Sequence, residues 1–285
     1  MSKYRIFSLA TWLALISFAV FAAVWFWVSN RYSVLFYHEQ IQLFRFDAIY
    51  FRSYLGQPGG LSGYLGSFLI QFYYYPAAGC VIIATVLSAV LLLFYHICRS
   101  CGAIERLFFM PFIPVVLLMM SFVNIHFDMS AAIGLLFALG GFSWYVAMPL
   151  PVRYVAGTAL FAVIYFIAGG NALLLTAMIL IFEIASINIT KEKKLRQKIS
   201  GIFLYISLLM IWSTLLPWMA MRMVYTVTVS EAYFALTPGN FLFPTNINKA
   251  LWISFPVLYL IWRLVAGKIS QWKLSSWKLL VPNCL

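Results

Sequence analysis

The sequence predicts an all-α fold, a polytopic transmembrane bundle of about eight spans, with residues 1–285 in one integral membrane domain. Three observations carry this. Hydrophobic residues make up 64% of the chain and charged residues 9%, against roughly a quarter charged in soluble domains. The apolar residues are gathered into blocks close to the ~20 residues that cross a bilayer as a helix. Lys and Arg are unevenly shared between the connecting loops, as happens when one face of a bundle is cytoplasmic. Helices follow because a spanning segment must satisfy its own backbone hydrogen bonds in lipid. The weak ten-residue alternation of a membrane β-barrel is absent.

The first span is the apolar run Ile6–Val28. A cleaved signal peptide would have a shorter core and a small-residue cleavage site, and Trp25, Phe26 and Trp27 stand where that site should be. Residues 30–76 then form the one long polar interruption. Within it Ile41, Phe44, Ala48, Phe51 and Leu55 recur at spacings of three and four, one stripe of a helix. Gly56-Gln57-Pro58-Gly59-Gly60 breaks that helix. A second amphipathic stretch follows, with Leu61, Tyr64, Leu65, Phe68, Leu69 and Phe72 on its apolar face and Ser62, Gly63, Gly66 and Ser67 opposite. Two helices lying in the membrane interface are expected.

Further spans are expected at about 77–98, 107–123 and 130–148, the second of these kinked by Pro111 and Pro114. Residues 154–189 are apolar for too long to be one span, and Gly169-Gly170-Asn171 is the expected reversal. The last two spans fall at about 200–221 and 250–266, separated by a loop with Arg222 and Glu231. With the amino end inside, 14 of the 19 Lys and Arg fall on the cytoplasmic side. Arg31, Arg45, Arg52, Arg222 and Lys249 fall outside with Glu39, Asp47, Asp128 and Glu231. This orientation obeys the positive-inside rule. It implies a plasma (inner) membrane protein with both termini cytoplasmic and the 30–76 loop extracytoplasmic. It also accounts for the net charge of +12 without a nucleic-acid partner. The Asn188-Ile189-Thr190 sequon then faces the cytoplasm. Cys80, Cys98, Cys101 and Cys284 make no disulfide framework.

Chemistry is expected in the outer loops. Glu39 and Asp128 are candidate catalytic carboxylates, either as a general base or as ligands of a divalent metal ion; the alternative is an ordinary solvated acid. Asp47 lies eight residues after Glu39, about 80° round a 3.6-residue helix, so both can face one cleft. A salt bridge to Arg45 or Arg52 is the other reading for it. His126 is a weaker candidate beside Asp128. Arg52 and Arg222 are candidate phosphate holders or snorkelling interfacial cations. Glu183, near the inner end of the sixth span, reads as snorkelling to the cytoplasmic interface. No phosphate loop, zinc-hydrolase, nucleophile-elbow or dinucleotide motif is present.

The order Glu39-Gln40-x-Gln42-Leu43-Phe44, then Pro58-Gly59-Gly60-Leu61, then Gln71-Phe72-Tyr73-Tyr74-Tyr75-Pro76 resembles a family of bacterial polytopic inner-membrane proteins of unknown function. More remotely, the layout over residues 1–150 is similar to the C-type membrane glycosyltransferases. That resemblance implies an enzyme using a polyprenyl-phosphate-linked sugar at the outer face, with Glu39 as the first acid and Asp128 as the second. The chain departs from the pattern in having His38-Glu39 where paired acids are usual, and in its shortness, which is consistent with truncation at Leu285. The alternative is a non-catalytic membrane assembly or export component that docks through the first outer loop; a transporter fits less well, for want of repeats.

The orientation has a direct test. A single cysteine at Asn124 or at Asn240 is expected to react with an impermeant thiol reagent in intact cells, and one at Lys193 is not. Labelling at Lys193 from outside would invert the topology.

Overall fold

The computed structural model describes residues 9–29, 34–41, 44–100, 107–187, 195–238 and 246–280. Arg31, Gln42, Leu43, Cys101, the Asn188–Thr190 sequon, Lys193, Asn240, Cys284 and Leu285 lie outside the described residues. The first half of the chain forms α1 (Leu9–Ser29), α2 (Phe36–Ile41), α3 (Ala48–Leu55), α4 (Gly60–Ile70), α5 (Pro76–Ser100) and α6 (Phe112–Ser121). The second half forms α7 (Met129–Ala147), α8 (Leu150–Ala168), α9 (Asn171–Ile187), α10 (Leu195–Met223), α11 (Val229–Phe234) and α12 (Asn246–Leu280). A 3₁₀ turn, Gln71–Tyr74, links α4 to α5, and the described residues contain no strand.

Among the described residues, five segments are long and apolar enough to cross a membrane: Thr11–Ser29, Pro76–Ser100, Met129–Ala147, Ile202–Met223 and Asn246–Ala266. The other three expected spans are apolar helices of lesser length, Phe112–Ser121, Val152–Ala168 and Asn171–Ser186. Two prolines shorten the first of these. Pro111 is its N-cap and Pro114 lies in its first turn, where the missing N–H would have had no intrahelical partner. Residues 107–111 therefore turn instead of extending the helix. The other two are separated by a tight reversal at Gly169, whose φ of +59° ends α8.

Helix α7 is the centre of the bundle and packs against α4, α5, α8 and α9. Its buried surface is rich in small residues, among them Ser130, Ala131, Ala132, Gly134, Ala138 and Gly141. Small residues let helix backbones approach closely, and the van der Waals contact so gained holds them together. The closest approach is at Gly66 of α4. A β-carbon there would stand 2.6 Å from the backbone nitrogen of Ser130, so only hydrogen fits between the two backbones.

This contact corrects the expectation for α4. Its small face, with Ser62, Gly63, Gly66 and Ser67, is the buried one. Leu61, Tyr64, Leu65, Phe68 and Leu69 are only partly covered and Phe72 is exposed. The large side chains would hold α4 away from α7, whereas the small ones bring the backbones together. The aromatic members instead meet Phe44, whose ring centroid lies 5.0 Å from that of Tyr64 and 5.5 Å from that of Phe68.

The first stripe is also corrected. Ile41 ends α2, Phe44 is in extended chain, and Ala48 opens α3, so these residues do not share one helix. Asp47 is responsible: it adopts an extended N-cap conformation and accepts a hydrogen bond from Tyr50 N at 2.6 Å. An Asx side chain bonding the backbone competes with helix continuation. Glu39 and Asp47 accordingly sit on separate elements, and the 80° relation between them does not hold.

At the far end of α7 the snorkelling expected of Glu183 is replaced by burial. Its side chain is 2% exposed and lies 4.0 Å from Arg153 Nη1. Tyr145 donates its hydroxyl to Glu183 Oε1 at 2.8 Å. Arg153 also donates through Nε and Nη2 to Met148 O, at 3.1 and 2.6 Å, closing the carbonyl end of α7. A buried carboxylate persists only when paired and hydrogen-bonded in this way.

Gly66→Ala is expected to cost roughly 1–3 kcal/mol, the usual penalty of forced overpacking. Gly140→Ala, where the nearest atom to a new β-carbon is Leu93 Cδ2 at 4.0 Å, is expected to leave stability unchanged or slightly raised. Thermal unfolding of the two variants in detergent, followed by tryptophan fluorescence, compares them.

Candidate functional site

Between α3–α4, the first turn of α7 and residues 226–236 lies a cavity of about 660 Å³. That volume falls within the range of small-molecule sites. Four of its lining residues, Pro58, Gly59, Ala235 and Leu236, belong to a junction of three backbone turns. Pro58 and Gly59 come from the α3–α4 turn, Gly169 and Gly170 from the α8–α9 reversal, and Ala235 and Leu236 from the end of α11. Gly170 N donates to Ala235 O at 2.9 Å, and Asn171 Nδ2 donates to Leu236 O at 2.8 Å. Gly59 has φ +76°, and a β-carbon on it would stand 2.7 Å from Gly169 N. Both the left-handed conformation and the close approach require glycine there.

One wall is aromatic and hydroxylated. Ser67 donates its proton to Gly63 O at 3.0 Å, so Tyr54, 2.7 Å from Ser67 Oγ, donates to that oxygen. Tyr50 lies 3.1 Å from the Tyr54 hydroxyl and completes the chain. Burial and the bond to Tyr54 push the Tyr50 phenol up to about 12, so it stays protonated at neutral pH. Tyr50, Tyr54 and Ser67 all line the cavity, together with Gln57.

The opposite side carries the carboxylates Asp128 and Glu231. Asp128 is the N-cap of α7, its Oδ1 accepting from Ser130 N and Ser130 Oγ, each at 3.0 Å. Glu231 belongs to a capping box with Thr228. Its Oε2 accepts from Thr228 N at 2.8 Å and Thr228 Oγ1 at 2.9 Å. Those bonds favour the ionised form and hold the Glu231 carboxyl below the usual range. Behind Asp128, His38 and Tyr73 face each other with ring centroids 6.5 Å apart. Burial lowers the His38 imidazole against the opposing pull of the Asp128 charge, and the nearby His126 lowers it further. Burial first, and the Asp128 charge second, raise the Tyr73 phenol.

Of the residues singled out from sequence, Asp128 is the one that lines the cavity. Glu39 is half-buried on α2, next to His38 and away from the cavity lining. Asp47 caps α3 and pairs with Arg45 at 2.8 Å, a structural use. His126 is exposed in the turn before Asp128, its backbone N donating to Asn124 Oδ1 at 3.0 Å. Arg52 is exposed on α3, and Arg222 stands 5.8 Å over the Trp218 ring; neither lines the cavity. Among the described residues no group of three His, Cys, Asp or Glu is placed to hold a metal ion.

Glu231 and the tyrosine pair are the lining residues that sequence reasoning passed over. Thr228-Val229-Ser230-Glu231 does carry a readable signal, the S/T-x-x-E box that opens a helix. It locates α11, though not the cavity that α11 borders.

Comparison with characterised proteins finds no match, and comparison with solved structures finds none either. The model of DUF6057, a family of unknown function, matches residues 5–283, and the chain belongs to that family.

Proposed function

We propose that this chain spans the plasma (inner) membrane eight times, and that its cavity is the sugar-binding part of a glycosyl-transfer site on the extracytoplasmic face. The donor is a polyprenyl-phosphate-linked sugar whose tail lies in the bilayer beside the bundle. The observation that carries the reading is the pairing of a ~660 Å³ cavity with a carboxylate, Asp128, that keeps one oxygen uncommitted. Its Oδ1 is occupied by Ser130, and Oδ2 is left to accept a proton. Tyr50 and Tyr54 in the same lining supply flat faces and hydroxyls, as expected for a polyhydroxylated ligand.

In this reading Asp128 takes the proton of an acceptor hydroxyl as general base. The acceptor oxygen bonds to the anomeric carbon as the bond from that carbon to the phosphate oxygen breaks. The lipid phosphate leaves already anionic and needs no acid. Arg52 adjoins the lining residue Ser53, and Arg222 precedes the lining residue Thr226 by four positions. In this reading both would grip the lipid phosphate outside the carboxylates. Exposed apolar residues of the outer hairpin, Phe46 at 77% and Ile49 at 80%, suit contact with lipid. They equally suit a protein partner, which keeps the docking reading as the alternative.

Mass spectrometry of membrane glycoconjugates separates these readings. In cells lacking the chain, one glycoconjugate is expected to lose a single sugar and to regain it on complementation. Asp128→Asn is expected to reduce that product by a factor of roughly 10²–10⁴, the usual contribution of a positioned base, and Glu39→Gln by less than tenfold. An unchanged glycoconjugate profile in cells lacking the chain, or full restoration by Asp128→Asn, rejects glycosyl transfer.

A further inference from the structure

We propose that Arg263 binds the phosphate of an anionic phospholipid, seated between α9 and α12 at the end of the bundle where α7 finishes. The inference goes beyond glycosyl transfer and does not depend on it; it rests on the membrane reading of the chain. Two guanidinium groups stand over the ring of Phe182, that of Arg153 at 5.2 Å from its centroid and that of Arg263 at 5.1 Å. They are used differently. Arg153 donates to Met148 O and lies 4.0 Å from Glu183. Arg263 has no carboxylate within ion-pair distance among the described residues, and its buried Nε has no hydrogen-bond partner there. Withdrawing a charged donor from water without an acceptor is costly. The face of Phe182 attracts the cation but does not satisfy that N–H.

The surroundings of Arg263 identify the acceptor. Arg263 is only partly buried, and Ile261 and Leu264 beside it on α12 are exposed, so in a membrane the site opens sideways onto lipid. A guanidinium grips phosphate oxygens as a fork with parallel donors. The helix also runs on past the site. α12 has 35 residues, roughly 52 Å at about 1.5 Å per residue, against about 30 Å of hydrocarbon. Its apolar segment ends at Ala266, and residues 267–280 continue the helix with Lys268, Lys273, Lys278, Trp272 and Trp277 and no acid. Helix α10 starts at the same end of the bundle, where Tyr205 meets Tyr154 of α8 with ring centroids 4.7 Å apart. Ahead of its apolar segment it adds Arg196 and Lys198, again without an acid. Basic segments with tryptophan beside a span settle among headgroups, and basic clefts between spans hold anionic ones. A lipid whose phosphate is balanced by its own choline gains little from this charge. Phosphatidylglycerol, which has no amine, is the simplest lipid that fits.

The test uses the full chain in detergent, titrated with phosphatidylglycerol or with phosphatidylcholine of the same acyl chains. Native mass spectrometry reads the bound lipid, and thermal unfolding reads its effect. The chain is expected to retain one phosphatidylglycerol about tenfold more tightly than phosphatidylcholine, and to unfold at a higher temperature when it is present. In Arg263→Gln the ratio of the two affinities is expected to fall to about one and the rise in unfolding temperature to vanish. Lys268→Gln is expected to weaken phosphatidylglycerol by less than about threefold. If Arg263→Gln does not fold, Arg263→Lys carries the test: it keeps the charge but loses the fork, and is expected to weaken binding by about threefold or more. Equal affinity for the two lipids overturns the proposal, as does phosphatidylglycerol binding that the Arg263 substitutions leave unchanged. A larger loss from Lys268→Gln than from Arg263→Gln overturns it too, since the attraction is then the diffuse charge of the helix end. Displacement of the lipid by an equal concentration of glycerol 1-phosphate rejects the lipid and assigns the site to a soluble phosphate. Destabilisation by Arg263→Gln that is the same with and without phosphatidylglycerol reduces Arg263 to a structural role and also overturns it.

Discussion

Backbone contact between α4 and the first turn of α7 is the constraint on which the half of the molecule around the cavity depends. Gly66 leaves room only for hydrogen against Ser130, and the buried small face of α4 follows from it. Once α4 is seated, Ser67 is placed to accept from Tyr54, which draws α3 over the cavity although α3 buries none of its own residues. The same seating lays the Pro58–Gly59 turn on Gly169. A helix of large residues on that face would stand off by the width of a side chain, and the cavity would open into a surface.

The junction of turns beside the cavity is maintained at some local cost. Leu236 has φ +58°, a conformation that costs an L-residue with a β-carbon roughly 1–2 kcal/mol. Asn171, fully buried, holds it by donating to its carbonyl while its own Oδ1 has no hydrogen-bond partner. Strained backbone fixed by its surroundings is characteristic of sites where geometry matters more than stability. Tyr165 adds a second brace by donating to Ala232 O at 3.0 Å. The cavity wall is in this way tied to the α8–α9 reversal rather than left as a free loop.

Helix α7 joins two polar regions that the sequence keeps far apart. At its N-terminus Asp128 accepts from the first turn; at its C-terminus Arg153 donates to Met148 O and Val146 O and faces Glu183. A carboxylate at the positive end of a helix and a guanidinium at the negative end each stabilise it by roughly 0.3–1 kcal/mol, more where solvent is excluded. The N-terminal end is left open to a ligand and the C-terminal end is closed by its own ion pair. That asymmetry is why the cavity, and not Glu183, is the candidate site.

The sequence by itself determined the helical class, the positions of the apolar helices and the reversal at Gly169–Asn171, because bilayer thickness and backbone hydrogen bonding act on local composition. It also singled out Asp128, since an acid between two apolar blocks stands out, and that residue lines the cavity. It misjudged α4 because amphipathicity assumes that large apolar residues face the core, whereas close backbone approach to α7 requires small ones. It misjudged the stripe from Ile41 to Leu55 because periodicity does not register a capping aspartate that stops one helix and starts another. Glu183 was misread because a lone acid near a helix end is locally indistinguishable from one that reaches the interface; its partners Tyr145 and Arg153 are 38 and 30 residues away in sequence. Only the tertiary structure decided that Glu231 joins Asp128 and that Glu39 does not, since their shared cavity is made by contacts between segments more than sixty residues apart, and no local pattern encodes which turns will meet.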